Sequence, residues 1–364
     1  MIKVSIIIPT FNRDTYLDKT LSSLVLQDCL AENYEILVCD NGSTDRTKEI
    51  VLEKQKQFPH INLRYFFEPV PGSLAARHKG YKESKTDNIL IFTDDDLQYS
   101  QKWLSTIIST FNDNPDVHLL GGPSRPIYEV EPPEWLKYFF YDYDKMKYCG
   151  DLSLLEIKTD KMIEVDPNFI WSLNMSIRKK TFTECGGLHL CVMPKEYQHF
   201  QGDGETGLTM KMKEKGYKAF YHPEVSVEHI IPASRLTFNF FDNRYYYQGI
   251  CNSYTDIRRE YGLYTPLENQ RQEDRPKRDF YKSTRKILGE IKRFIILPKP
   301  KPKLPHVTPN EPTSNYEELL LKERFRQSYY AGYNFHQWAV NNNKKILAWV
   351  LKEDYFDYKL PEIK

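Results

Sequence analysis

No two of the six cysteines form a Cys-x-x-Cys pair, and positions 29, 39, 149, 185, 191 and 251 follow no zinc-like spacing. Structural zinc and dithiol redox chemistry are thereby set aside, and free thiols in a reducing compartment are expected. Charge of one sign is also lacking. The 51 Lys/Arg and 50 Asp/Glu leave a net +1, so the whole chain has no basic footprint for nucleic acid and no such partner is expected. The apolar run in MIKVSIIIPTF stops at Pro9, too short for a signal peptide or a membrane span. Nothing else approaches 18 continuous apolar residues, and a cytoplasmic chain is expected. The first apolar run continues into PTFNR, without a GxGxxG and without a P-loop. Dinucleotide-dependent hydride transfer is thereby disfavoured, since no glycine lets the backbone approach a pyrophosphate.

What is present is an aromatic-rich, core-forming chain. Of 364 residues, 40% are hydrophobic, and 26 Tyr and 20 Phe exceed what a core alone requires. Aromatics with a polar tip suit contact with sugars, lipids or protein surfaces. Apolar runs at 4–8, 34–40, 63–67 and 88–93 read as buried strands. Helical patterns at 14–27, 44–58, 74–83 and 101–111 lie between and after them. Such alternation predicts an α/β fold: βαβ units in a mostly parallel sheet with helices on both faces. Past residue 115 the alternation fades. A strand and turn are expected at 117–126, an irregular aromatic loop at 132–148, a strand within 168–179, and a helix over Thr237–Tyr261.

The last hundred residues differ. Arg275–Lys303 holds eleven Lys/Arg against Asp279 and Glu290, a local +9. Within 280–297 the apolar and basic residues fall on opposite helical faces. Such a helix either lies on an anionic membrane surface or packs on the rest of the protein with its charges in water. Residues 297–312 read as a Pro-rich extended linker, and 315–349 as a final helix.

Ligands of open α/β sheets sit beyond the carboxyl ends of the strands. Here those ends are 9–13, 40–45, 68–72 and 94–96, three of which carry acids. Asp94-Asp95-Asp96 follows a buried run directly. An acidic turn or helix cap is one explanation. The other is a hard divalent cation: if the segment stays extended, Asp94 and Asp96 share one side and Asp95 points away, and Mg²⁺ or Mn²⁺ would share those oxygens with substrate phosphates.

VSIIIPTFNR, LVCDNGSTDRT, PGSLAARHKGY and FTDDD, in this order over residues 4–96, resemble the nucleotide-binding half of the family 2 inverting glycosyltransferases. The resemblance continues through NMSIRKKTF…CGGL (174–188) and GETGLTMKMKEKGYKAFYHPEVSVEH, about two-thirds of the chain. It implies a GT-A fold with a Rossmann-like nucleotide-binding half (1–115), an acceptor-side half (116–262) and a helical basic C-terminal region (263–364). It further implies a metal-dependent transferase that moves a sugar from a UDP- or GDP-linked donor to a glycan or lipid-linked acceptor. Bacterial surface polysaccharide or lipopolysaccharide synthesis is the implied setting, at the inner face of the membrane. Apart from the resemblance, the basic tract at 280–303 is the candidate for peripheral membrane contact, and the C-terminal helices are the candidate for a homodimer.

Residue by residue, the resemblance assigns Pro9, Thr10, Asp40, Arg77, Asp94 and Asp95 to the donor. It assigns Asp94, Asp96 and His229 to Mn²⁺ or Mg²⁺. Asn41 and Asp45 are expected as a turn and a helix cap instead, and Arg77 has the alternative of a solvated helix charge. The family usually carries two acids at the head of a helix in a pattern like E-D-x-E/D-L, whereas this chain has Gly204-Glu205. Glu205 then takes the role of general base, with Asp203 as substitute; capping the helix is its alternative. Two other functions remain open: a non-catalytic sugar-binding or scaffold protein of this fold, which the missing acid at 204 favours, and a nucleotidyltransferase, which should have a Gly-rich first loop.

Overall fold

The computed structural model describes residues 3–264 and 313–362. Four apolar runs form the parallel centre of an eight-stranded sheet: β1 (Val4–Thr10), β2 (Tyr34–Asp40), β3 (Leu63–Phe67) and β4 (Ile89–Thr93). β1 lies between β2 and β4, and every residue of β1, β2 and β4 is buried. Burial on both faces is why these strands read as unbroken apolar runs rather than alternating ones.

Helices α1 (Asp14–Leu24), α2 (Thr47–Gln57), α3 (Ser73–Glu83) and α4 (Trp103–Asp113) connect or follow these strands. Leu17, Leu21 and Leu24 bury one stripe of α1, the spacing an amphipathic helix requires. The strand and turn expected at 117–126 are β6 (Leu119–Gly121) and β7 (Ser124–Tyr128), preceded by β5 (Leu97–Tyr99), a short strand between the aspartate triplet and α4 that was not expected.

The segment expected as an irregular loop is ordered. It forms a hairpin, β8 (Tyr141–Tyr143) and β9 (Met146–Cys149), which continues into β10 (Leu154–Ile157). With β11 (Ile163–Val165), β12 (Asn174–Arg178), β13 (Ala219–Tyr221) and β14 (Val227–Ile231), two sheets result. The first runs β11-β13-β6-β12-β4-β1-β2-β3 and the second β5-β14-β7-β10-β9-β8. β12 pairs antiparallel with both β4 and β6.

Helices α5 (Lys179–Glu184), α6 (Thr206–Glu214) and α7 (Phe238–Glu260) complete this part. The Thr237 side chain caps α7 by accepting from the Phe240 N–H. Two helices follow in the C-terminal segment, α8 (Thr313–Asn342) and α9 (Lys344–Val350). They divide the expected 315–349 helix at Asn343, whose side chain caps the second by accepting from the Lys345 N–H at 2.9 Å. α8 crosses α7 closely, for a Cβ added at Gly249 would lie 2.0 Å from Tyr329 O, and one at Gly332 would lie 1.9 Å from Tyr246 O.

The C-terminal segment joins the main core. Trp349, Tyr355 and Tyr358 share one buried cluster with Leu74, Phe92 and Phe182, and Tyr358 donates to Glu68 at 2.7 Å. The basic amphipathic tract of 280–297 and the linker of 297–312 lie outside the described residues. No helix among the described residues is long and apolar enough to cross a membrane.

Candidate active site

The carboxyl ends of β1, β2 and β4 bring Pro9, Thr10, Asp40 and the aspartate triplet to one edge of the sheet. Asp40 ends β2 and is buried. Its carboxylate accepts from the Ser43 N–H at 2.8 Å and the Tyr65 hydroxyl at 2.6 Å. Burial, then Asp40, pushes the Tyr65 phenol up. Asn41 links the loops by bonding Glu68 O, Val70 O and the Gly72 N–H. Asp45 accepts from the backbone N–H groups of Asp14 and Thr47, each at 3.0 Å, so it caps a helix as expected.

Three buried or half-buried aspartates in a row need compensation, and three arginines supply it. Arg77 forms an ion pair with Asp94. Arg13 donates to Asp95 and to Asp96, each at 2.8 Å. Arg235 reaches Asp96 at 2.9 Å. Thr10 donates its hydroxyl to Asp95 at 2.8 Å.

The pairing corrects the expected alternation. Asp95 and Asp96 share Arg13 while Asp94 turns to Arg77, because the chain bends immediately after Thr93 and the period of two ends there. Arg77 is buried, so it is not a solvated helix charge. Burial pushes the Asp95 carboxyl up against the pull of Arg13. Burial acts in the same direction on Asp96, but His229, Arg235 and Arg13 outweigh it and hold that carboxyl low.

His229 lies within β14, with Nε2 3.5 Å from Asp96 Oδ1 and 2.8 Å from an Arg235 nitrogen. Among the described residues no three His, Cys, Asp or Glu side chains gather as a metal-binding group. Asp96 Oδ1 and His229 Nδ1 are nevertheless buried without hydrogen-bond partners. His229 Nε2 accepts from Arg235, which also pairs with Asp96, so a divalent ion held by Asp96 Oδ1 and His229 would have to displace Arg235 and take further ligands from elsewhere. Asp94, held on Arg77, is not beside them.

Glu205 stands half-buried at the head of α6. It stands at the N-cap of that helix but makes no side-chain capping hydrogen bond to it. One carboxylate oxygen accepts from the Ser172 N–H at 3.4 Å. Asp203 is arranged differently. It is buried, one oxygen against His189 Nδ1 at 2.6 Å and the other accepting from Thr255 at 2.8 Å and Tyr264 at 3.3 Å. Burial would raise its pKa, but His189 and Thr255 outweigh that and lower it.

The glycine before Glu205 has a backbone cause. Gly204 has φ +64, and a Cβ there would meet Cys191 Sγ at 3.3 Å. An acid at this position would be strained in the left-handed region.

Several residues of the site were not singled out in the sequence. Arg13 and Arg235 neutralise the triplet, and Tyr65 orients Asp40. Phe11 and Phe67, at the ends of β1 and β3, are each more than half exposed. Arg13 and Phe11 were visible within PTFNR; Arg235 had no local signal, because its partner lies 139 residues earlier in the chain. Near the site, Asn174 bonds Trp103 and Val225 O, and Trp171 bonds Asn168 O.

Residues 5–169 match the family described as "Glycosyl transferase family 2". The match spans somewhat under half of the chain, and it is by this segment that the chain is similar to that family. It is similar to the glycosyltransferase AglE of Haloferax volcanii, 39% identical over 120 residues, which is 33% of this chain and 38% of that protein. It is also similar to the glucosyl-dolichyl phosphate glucuronosyltransferase of the same organism, 24% identical over 261 residues, covering 70% of this chain and 78% of the relative. The chain thus matches well under half the length of AglE and most of the second. Among solved structures, the mannosyltransferase PcManGT from Pyrobaculum calidifontis, in complex with GDP-Man and Mn2+, superposes with TM-score 0.51 at 17% identity, covering 70% of this chain and 64% of that one. The likeness is one of fold, which is GT-A.

Proposed function

We propose that this chain is a family 2 glycosyltransferase that transfers a sugar from a nucleotide-diphosphate donor to an acceptor hydroxyl, with inversion and with a divalent cation. The observation that carries the proposal is Glu205: a half-buried carboxylate at the head of α6 that makes no side-chain capping bond and is held by one backbone N–H. Asp203 has both oxygens engaged within the interior, which favours Glu205 over it as the base. Glu205 would take the proton from the acceptor oxygen as that oxygen attacks the anomeric carbon. The bond to the diphosphate breaks on the opposite face, its electron pair passing to the phosphate oxygen.

Asp40, Thr10 and Pro9 border the nucleoside end, with exposed Phe11 and Phe67 beside them. Arg77 and Arg13 would offer donors to the diphosphate, for which a guanidinium fork is suited. Asp96 and His229 would hold Mn²⁺ or Mg²⁺, whose charge would stabilise the leaving diphosphate. The Mn2+ in the PcManGT complex supports the choice of ion. Relatives named for dolichyl phosphate sugars and for chondroitin synthesis support a lipid-linked or glycan acceptor, consistent with a surface-polysaccharide setting at the inner membrane face.

Calorimetric titration of UDP and of GDP, each with and without Mn²⁺, tests the donor side. One nucleotide should bind, and only with the metal; failure of both under all conditions rejects the donor site. Hydrolysis of the matching nucleotide sugar, with water in place of the acceptor, tests the base. Glu205→Gln should slow it by about 10²–10⁴-fold without changing the nucleotide isotherm, and an unchanged rate would remove Glu205 from the mechanism.

A further inference from the structure

The loop that carries Glu205 is built around one buried imidazole. Residues 202–207 read Gly-Asp-Gly-Glu-Thr-Gly, and their backbone runs beside 189–190. The His189 N–H donates to Gly204 O at 3.0 Å, and the Gly202 N–H donates to Leu190 O. The glycines leave room for the ring. A Cβ at Gly207 would lie 2.2 Å from His189 Cε1, and one at Gly202 would lie 2.9 Å from His189 Cβ. No side chain fits at either place without moving His189, so the loop and the first turn of α6 are moulded on it.

His189 and Asp203 hold that loop from within. Against the effect of burial, His189 and Thr255 keep Asp203 in its ionised form. A carboxylate only accepts, so His189 Nδ1 carries a proton and donates it at 2.6 Å. Burial lowers the His189 pKa more than Asp203 raises it, which leaves the ring neutral. Nε2, buried and without a hydrogen-bond partner among the described residues, is then a bare acceptor; on a charged ring it would be an unpaired donor. The pair is fixed on its other sides too. Thr255 of α7 donates to the second Asp203 oxygen at 2.8 Å. The Tyr264 ring lies 17° from the plane of the imidazole, and the Tyr355 ring of the C-terminal segment packs 4.9 Å away. Glu205, two residues beyond Asp203, turns instead to the Ser172 N–H.

We propose that His189, through Asp203, is a positioning residue for Glu205: the buried pair fixes the loop so that the Glu205 carboxylate stands where the acceptor hydroxyl arrives. This rests on Glu205 being the base. The composition of the loop creates the need for an anchor. Three of its six residues are glycine, which leaves its backbone more freedom than other residues would. Displacing a reacting group by about 1 Å can cost about 10²-fold in rate. A purely structural pair would act differently, because its loss would weaken folding and nucleotide binding together.

The test is hydrolysis of UDP-glucose, UDP-N-acetylglucosamine and GDP-mannose with Mn²⁺, continued with whichever donor is consumed. His189→Leu removes the donor to Asp203 and should lower kcat by about 10–10²-fold, while KM and the nucleotide isotherm stay those of the wild type. His189→Asn returns an N–H close to the place of Nδ1 and should recover most of the rate. Asp203→Asn keeps the shape of the side chain and removes its charge. It should lower kcat as His189→Leu does, and it serves where the leucine variant does not fold. A wild-type kcat in folded His189→Leu overturns the positioning role. So does a loss that His189→Asn does not recover, or one that takes nucleotide binding with it. Glu205→Gln tells this failure from failure of the base. An unchanged rate in Glu205→Gln beside a slow Asp203→Asn would make Asp203 the base; a slow Glu205→Gln beside a fast His189→Leu rejects the anchor alone. His189→Leu combined with Glu205→Gln should be no slower than Glu205→Gln, and a further fall by the His189→Leu factor would show that the two residues act independently. Hydrolysis of none of the three donors rejects the transferase function and the anchor with it.

Discussion

Arg13 uses one terminal nitrogen to meet both Asp95 and Asp96 at 2.8 Å, and those two carboxylates are almost fully buried. Removing one partner of a buried ion pair leaves an uncompensated charge, which costs about 3–5 kcal/mol in typical cases. Arg235 and His229 remain beside Asp96, so the loss here should fall near the low end. Arg13→Gln is therefore expected to destabilise the protein by about 3 kcal/mol, measured by urea unfolding, and Asp95→Asn should restore part of that loss in the same background. Additive effects of the two substitutions would mean that they do not interact. The identity of these arginines explains what was legible at this scale. Acids at strand ends were visible as a pattern, and so was Arg77, but the other two cations that answer them, Arg13 and Arg235, come from α1's entry and from the turn after β14. Only folding sets Arg235 against Asp96.

Local patterns carried the elements they fully determine and concealed those they share. β1, β2 and β4 were legible because both faces of each are packed and the runs are continuous. The hairpin was missed although Tyr-Asp-Tyr and Met-Lys-Tyr alternate with a period of two on either side of Asp144-Lys145. Its turn lacks the Gly or Asn that usually announces a hairpin, and aromatics on an exposed face imitate an irregular loop. The head of α6 shows the converse. Sequence comparison marks position 204 by a missing acid, and the backbone supplies the cause. With φ +64 and Cys191 Sγ at 3.3 Å from a Cβ, Gly204→Ala should cost about 1–2 kcal/mol in urea unfolding. Glu205 would tilt with the strained backbone, so donor hydrolysis should fall as well. Unchanged stability would show that the turn adjusts without strain and that another cause excludes the acid.

Over the whole molecule the C-terminal segment closes on α3 and α7, and it does so around buried histidines. His78 on α3 is enclosed by Phe182, Phe356 and Tyr358, and His336 on α8 bonds Ser253 of α7 at 2.8 Å. The sequence showed the final helix but not its partners, because contacts such as Tyr358 to Glu68 join residues 290 apart. Burial lowers both histidines to about 3, against about 6.5 in an unfolded chain. Between those values the unfolded state binds protons that the folded state refuses, so stability rises with pH. The contribution is fully present above about 6.5 and is lost as pH falls toward 3, each tenfold difference in proton affinity between the two states being worth about 1.4 kcal/mol. Asp96 adds to the loss below about 4, since its pKa is lowered on folding; Asp95, whose burial raises it to about 6, opposes it over part of the range. His336→Gln isolates one histidine from this sum. The wild-type melting temperature should fall between pH 7 and pH 5, and the variant's curve should be shallower over the same interval. Parallel curves would mean that His336 is not buried in its neutral form, and the packing of α8 on α7 would then need revision.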